Sequence, residues 1–118
     1  MAFLEEQDIG FDTGFAKVPI VPAAVIYDLG YKSAKIRPDF NMGYEACKNA
    51  KKQIKQGSFG AGTGATVGKI LGAEHISKGG VGTASIKLKS GATVGAIAVV
   101  NPLGDVVEET GEIIAGVQ

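Results

Sequence analysis

Apolar and polar positions change period several times along the chain, and each change marks an element. Met1 to Gln7 (MAFLEEQ) combines good helix formers with apolar Phe3 and Leu4 and stops at Asp8 and Gly10, which predicts a short helix. No capping residue precedes it, so it is expected to be the end of a longer helix. In IGFDTGFAKVPIVPAAVIYDLG, Pro19 and Pro22 are spaced so that neither can sit inside a central strand or helix. Val18 to Pro22 is expected to be extended, and Ala23 to Leu29 a short buried segment with Tyr27 and Asp28 at its end. Arg37-Pro38-Asp39 interrupts the chain again, because the residue before a proline favours extended geometry. From about Asn41 to Gln56, Tyr44, Cys47, Ala50 and Ile54 recur at three and four on one helical face, with Lys48, Lys51, Lys52 and Lys55 largely off it. Asn41 is read as the N-cap and Gly57 as the glycine that ends the helix.

Beyond Lys78 the period falls to two. Ile86 and Leu88 alternate with Ser85, Lys87 and Lys89, Ser90-Gly91 supplies a tight turn, and Thr93 to Val100 returns as a strand apolar enough to be buried on both faces. It ends at Asn101-Pro102, where Pro102 cannot donate to a ladder. Asn101 there either begins a turn, a common use of asparagine before proline, or points its side chain into a site. Asp105 to Gln118 repeats the pattern more loosely, Val106 and Val107 facing Ile113 and Ile114 across a turn at Glu108 to Gly111.

Composition narrows the function classes. The 118 residues are one small domain's worth, and 12 acidic against 12 basic residues leave no long-range field for nucleic acid or an anionic membrane. The lysines toward the C-terminus of that helix have no interleaved aromatics and read as a solvated face. The single cysteine, Cys47, cannot form an internal disulfide; a small buried or half-buried thiol in a reducing compartment is expected. No secretory signal pattern and no apolar run of membrane-spanning length occurs, so the reading is a soluble, cytoplasmic protein with no membrane partner.

Twelve of the 18 glycines lie between Gly57 and Gly104, where the backbone must take positive φ or approach something that a Cβ would block. GTGATVGKI fails as a phosphate loop, since Thr63 stands where glycine is required and Ile70 follows Lys69 instead of a hydroxyl. Gly60 to Ala65 fits a looser dinucleotide pattern, but no strand leads clearly into it and no acidic residue follows about twenty positions on. The carboxylates Asp105, Glu108, Glu109 and Glu112 match no calcium loop, and His75 has no second ligand at metal spacing. Nucleotide, cofactor and metal are therefore not expected.

Read in order, VPIVPAAVIYDL, GSFGAGTGATVGK, KGGVGTASIKL and TVGAIAVVNPLGDVVEETGEIIAG resemble the DmpA family of aminopeptidases and amidases, which includes L-aminopeptidase/D-amidase, β-peptidyl aminopeptidases and the nylon-oligomer hydrolase. The resemblance runs from Leu4 to Gly116, and family members are several times longer. It implies that this chain is an internal segment, a single partial domain over 1–118, of an α/β (α+β) layered N-terminal-nucleophile-hydrolase fold.

It also implies a precursor that cuts itself before a serine or threonine, whose new α-amino group serves as base for its own hydroxyl. That nucleophile is not among these residues, and the family uses no serine–histidine–carboxylate triad, which leaves His75 outside the chemistry. The matching VVN motif makes Asn101 the oxyanion donor. Lys69 or Lys78, each beside a family motif, would lower a nearby pKa or bind substrate, while Tyr27 and the backbone of Gly62 and Gly64 would line the pocket. The implied partners are a peptide or amino-acid amide substrate, the remaining segments of the enzyme, and further copies in a homo-oligomer. Two rivals stand beside this: an acyltransferase of the ornithine-acetyltransferase type, differing in an amine acceptor, and a non-catalytic structural fragment.

Overall fold

The computed structural model describes residues 1–117 and contains two compact units. One unit combines Met1–Val25 with Lys35–Lys52; the other combines Ile26–Ala34 with the chain from Gln53 onward.

In the first unit, helix α1 (Ala2–Glu6) forms where the helix formers predict it and is capped at Gln7, with Asp8 beyond it at a φ of 55°. Strands β1 (Phe11–Asp12) and β2 (Lys17–Val18) pair antiparallel. Their turn is held by side chains: Asp12 Oδ1 accepts the Gly14 N–H at 2.8 Å and Thr13 Oγ1 donates to Ala16 O at 2.8 Å.

Helix α2 (Phe40–Lys48) corrects both predicted boundaries of the second helix. Asp39, not Asn41, is the N-cap, its carboxylate accepting the Met42 N–H at 2.8 Å. At the other end the helix stops well short of Gln56. Asn49 Nδ2 donates to Glu45 O at 2.8 Å, so a side chain satisfies a last-turn carbonyl and competes with further helix. Ile54 and three of the four lysines thus lie outside the helix. Tyr44 joins the two helices of this unit, edge-on to Phe3 at 5.7 Å and stacked with Phe40 at 5.9 Å, with its hydroxyl donating to the Glu6 carboxylate. Cys47 is exposed, contrary to the expected half-buried thiol, because the helix buries no residue completely.

The second unit is built from antiparallel pairs. β3 (Thr66–Val67) pairs with β4 (Ser77–Lys78), β5 (Gly80–Lys87) with β6 (Thr93–Val100), and β7 (Val106–Val107) with β8 (Ile113–Ala115). The small core contains Ala65 and Val67, both fully buried, with Val81, Thr66 and Ser77. Gly57 exchanges two backbone bonds with Val81, at 2.8 and 2.9 Å. That approach requires glycine at position 80 as well, where a Cβ would lie 2.8 Å from the Gly57 carbonyl.

Both predicted hairpins form, and their turns share one design. Leu88 N–H bonds Ala92 O and Gly91 N–H bonds Leu88 O, as Glu108 N–H bonds Glu112 O and Gly111 N–H bonds Glu108 O. Gly91 and Gly111 sit at φ 88° and 87°, the left-handed position this turn demands. β5 begins at Gly80, earlier than the alternation at Ser85 announces, since Gly80 and Gly82 hide its period. The expectation that β6 is buried on both faces is corrected: among the described residues it pairs only with β5, and Thr93 to Ala98 are exposed, with Val99 and Val100 half-buried. Ala23 to Leu29 is likewise not a buried segment, Ile26 alone of its apolar residues being half-buried. No helix among the described residues is long and apolar enough to cross a membrane.

Candidate functional site

Asn101 follows β6 directly and is half-buried. Its Oδ1 accepts from the Thr66 N–H and from Lys69 Nζ, both at 2.9 Å, and its Nδ2 donates to Tyr27 O at 3.2 Å. Two donors facing one end of the carboxamide fix which atom is oxygen, so the NH2 group must point the other way. Nδ2 has a second N–H, and no described residue accepts it.

Lys69 reaches Asn101 because the chain after β3 pairs with the chain after Pro102: Gly68 N–H bonds Gly104 O at 2.8 Å and Lys69 N–H bonds Leu103 O at 2.7 Å. Its ammonium lies among Thr66 O at 2.6 Å, Asn101 O at 3.0 Å, Pro102 O at 3.0 Å and Asn101 Oδ1. These four acceptors outnumber the three N–H groups of a lysine, so none is left for another molecule. Burial pushes the Lys69 pKa below the ordinary lysine value.

Lys78, at the end of β4, is exposed as a residue, yet its ammonium is ringed by Ala65 O at 2.6 Å, Gly62 O at 2.8 Å and Gly79 O at 3.1 Å. It also lies 5.5 Å from the centre of the Tyr31 ring. Loss of solvent lowers its pKa, with Asp28 acting in the opposite direction and Lys32 in the same one. Glycines let the backbone close this tightly: a Cβ on Gly62 would strike the Val81 nitrogen and one on Gly79 the Val100 oxygen.

One peptide group links Lys78 to the oxygen that Lys69 also bonds. The Ala65 carbonyl accepts from Lys78 Nζ, and the N–H of that same peptide, on Thr66, donates to Asn101 Oδ1.

The sequence model described as Peptidase family S58 matches residues 2–117. This chain belongs to that family. The S58 chain is 45% identical over 116 residues to an uncharacterized aminopeptidase of Mycobacterium leprae, covering 92% of this chain and 30% of that protein. It is 45% identical over 108 residues to an uncharacterized aminopeptidase of Mycobacterium tuberculosis, covering 92% of this chain and 29% of the relative. With the 6-aminohexanoate-oligomer endohydrolase of Paenarthrobacter ureafaciens it shares 34% over 105 residues, covering 88% of this chain and 29% of that enzyme. The S58 chain thus spans about 30% of the length of the curated relatives it matches. No solved structure matches it. The DmpA resemblance read from the motifs holds.

Of the residues singled out in the S58 sequence, Asn101, Lys69, Lys78 and the backbone of Tyr27 share one hydrogen-bonded network. Tyr27 is 73% exposed and, among the described residues, joins the network only through its backbone carbonyl. Gly62 is buried, its carbonyl bonded to Lys78 and its N–H to Phe59 O, so its polar groups serve the cage and leave no backbone donor for a ligand. Gly64 is half-buried, and a side chain there would take the place of the Asp28 carboxylate. His75 is half-buried, and no cluster of metal-ligating side chains occurs among the described residues.

Thr66, Ala65 and Tyr31 were not legible as site residues. Ala65 and Thr66 act through their backbone, which has no sequence signature, and Tyr31 is recognisable only once Lys78 is seen beside it. Chemically, a carboxamide clamped through its oxygen presents N–H groups only, the arrangement that suits an oxygen gaining negative charge.

Proposed function

We propose that this chain supplies the oxyanion-binding part of a self-processing aminopeptidase or amidase acting on N-terminal amino-acid amides or short peptides. The nucleophile, an N-terminal serine or threonine, belongs to a segment outside this sequence, in a layered N-terminal-nucleophile fold completed by that segment and assembled as a homo-oligomer. Membership of S58 supports the hydrolase class, and the names of the relatives, aminopeptidase and oligomer endohydrolase, both point to amide hydrolysis. The single cysteine suits a reducing, cytoplasmic setting.

The observation that carries the reading is the Asn101 carboxamide, fixed through Oδ1 with an Nδ2–H unclaimed. In the proposed reaction the hydroxyl oxygen adds to the substrate carbonyl carbon while its proton passes to the α-amino group. The carbonyl oxygen becomes an oxyanion and accepts from Asn101 Nδ2. Collapse of that intermediate breaks the C–N bond, the amine leaves with the proton, and water then hydrolyses the ester. Lys69 holds Asn101 in place, and Tyr27 and Gly64 line the pocket.

Asn101→Ala in the full-length protein tests this. The expected outcome is a fall in kcat of roughly a hundredfold to a thousandfold with little change in KM, the usual loss for one oxyanion donor. A kcat within a few-fold of the parent would remove Asn101 from this role.

A further inference from the structure

We propose that Lys78 is a positioning residue for the oxyanion donor, acting on Asn101 through the Ala65–Thr66 peptide group; the inference rests on the role given to Asn101 above.

Three observations lead there. First, the three N–H groups of the Lys78 ammonium face three carbonyls, those of Ala65, Gly62 and Gly79, at 2.6, 2.8 and 3.1 Å. A saturated ammonium has no donor left for substrate, so a direct binding role does not fit the geometry. Second, the Ala65 carbonyl accepts twice, from Lys78 Nζ and from Gly79 N–H at 2.9 Å. The N–H across the same peptide bond, on Thr66, is the one that holds Asn101 Oδ1 at 2.9 Å. A cation on the carbonyl draws electron density along the peptide and makes its N–H a stronger donor. Third, Lys69 Nζ donates to the same Oδ1 at 2.9 Å. Asn101 Oδ1 therefore sits between two donors, one a cation and the other polarised by a cation. That pull on the oxygen fixes the carboxamide plane and strengthens its Nδ2–H groups as donors toward a developing oxyanion.

The geometry also separates the two lysines. Lys69 touches Asn101, whereas Lys78 is one peptide group removed, and the Gly62–Ala65 turn it ties down leads directly into Thr66, whose N–H does the holding. Removing the Lys78 charge leaves Asn101 in place on Lys69 but weakens one of its two anchors. The effect belongs in kcat, because Asn101 meets its charge in the transition state, and not in KM.

The experiment is a double-mutant cycle in the full-length protein, with Lys78→Met, Asn101→Ala and the double variant assayed for kcat and KM on amino-acid p-nitroanilides, and thermal melts run on each. The expected result is a loss in kcat of about tenfold for Lys78→Met, KM within about twofold, and a further loss of less than about twofold when Lys78→Met is added to Asn101→Ala. Lys78→Arg, which keeps the cation, is expected to recover most of kcat. If Lys78→Met does not fold, Lys78→Gln is put through the same cycle. An unchanged kcat, a rise in KM alone, or the same loss in both backgrounds would overturn the inference, since each means that Lys78 does not act through Asn101. If Asn101→Ala itself leaves kcat unaffected, the functional reading fails first, an outcome distinct from a normal Asn101 effect with an additive Lys78 effect.

Discussion

At the scale of single residues, Asn101 is held by a cation and by backbone, and most of the second contribution is invisible in a list of side chains. Lys69 illustrates the energetics. Its ammonium satisfies four oxygens, and replacing it by methionine leaves them short of a donor in a half-buried place. Lys69→Met is therefore expected to lower stability by about 1–3 kcal/mol, the cost of unsatisfied polar groups, and to lower kcat with it, as read from denaturant melts and steady-state rates. A variant with parental stability and kcat would show that the cage contributes nothing. At Asn101 the strand end before a proline left a turn and a site both open, and it was the VVN motif of the family resemblance that singled the residue out. The choice between Lys69 and Lys78 was not legible in the sequence, because both bind backbone carbonyls, and any sequence supplies those. The structure gives each a separate place, Lys69 on the Asn101 side chain and Lys78 behind it.

At the scale of elements, turns were read more accurately than helix ends. Gly91 and Gly111 signal their hairpins because only a residue tolerant of φ near +90° closes such a turn, and the flanking apolar residues set the pairing. The helix over residues 40–48 was recognisable from Tyr44 and Cys47, but its ends depended on which of several capping residues wins. Asp39 prevails over Asn41 at the start, and Asn49 stops the helix before the next lysines. Asp39→Ala is accordingly expected to cost about 1 kcal/mol of stability, whereas Asn41→Ala, which removes no cap, should stay within about 0.5 kcal/mol. Equal losses for the two in circular-dichroism melts would contradict the assigned cap. β3, the strand that holds Asn101 through Thr66, went unread because two residues among glycines display no period.

At the scale of the whole molecule, burial is sparse. The buried hydrophobic core among the described residues is Ala65, Val67 and Val81, while Ile86, Val94, Ile97, Ile113 and Ile114 stand exposed on paired strands. So small a core offsets little of the conformational entropy of 118 residues, and exposed apolar strands invite pairing with other chains. The 118-residue chain expressed alone is expected to be oligomeric or poorly soluble; a sharp monomer peak in light scattering at micromolar concentration, with a cooperative melt, would contradict this. The same exposure explains why the sequence misjudged β6. An apolar strand reads as buried on both faces, but the pattern states only what a strand can bury, and among the described residues β6 has β5 as its one strand partner.

The central claim is that this chain carries the oxyanion-binding part of an S58 site and lacks its nucleophile. The most direct test is to assay the purified chain on amino-acid p-nitroanilides alone, and again after mixing with a segment that begins at the family's N-terminal serine or threonine. The account predicts no turnover by the chain alone, turnover on mixing, and a loss of roughly a hundredfold to a thousandfold when the mixed chain carries Asn101→Ala. Turnover by the chain alone, or equal turnover with Asn101→Ala, would contradict it.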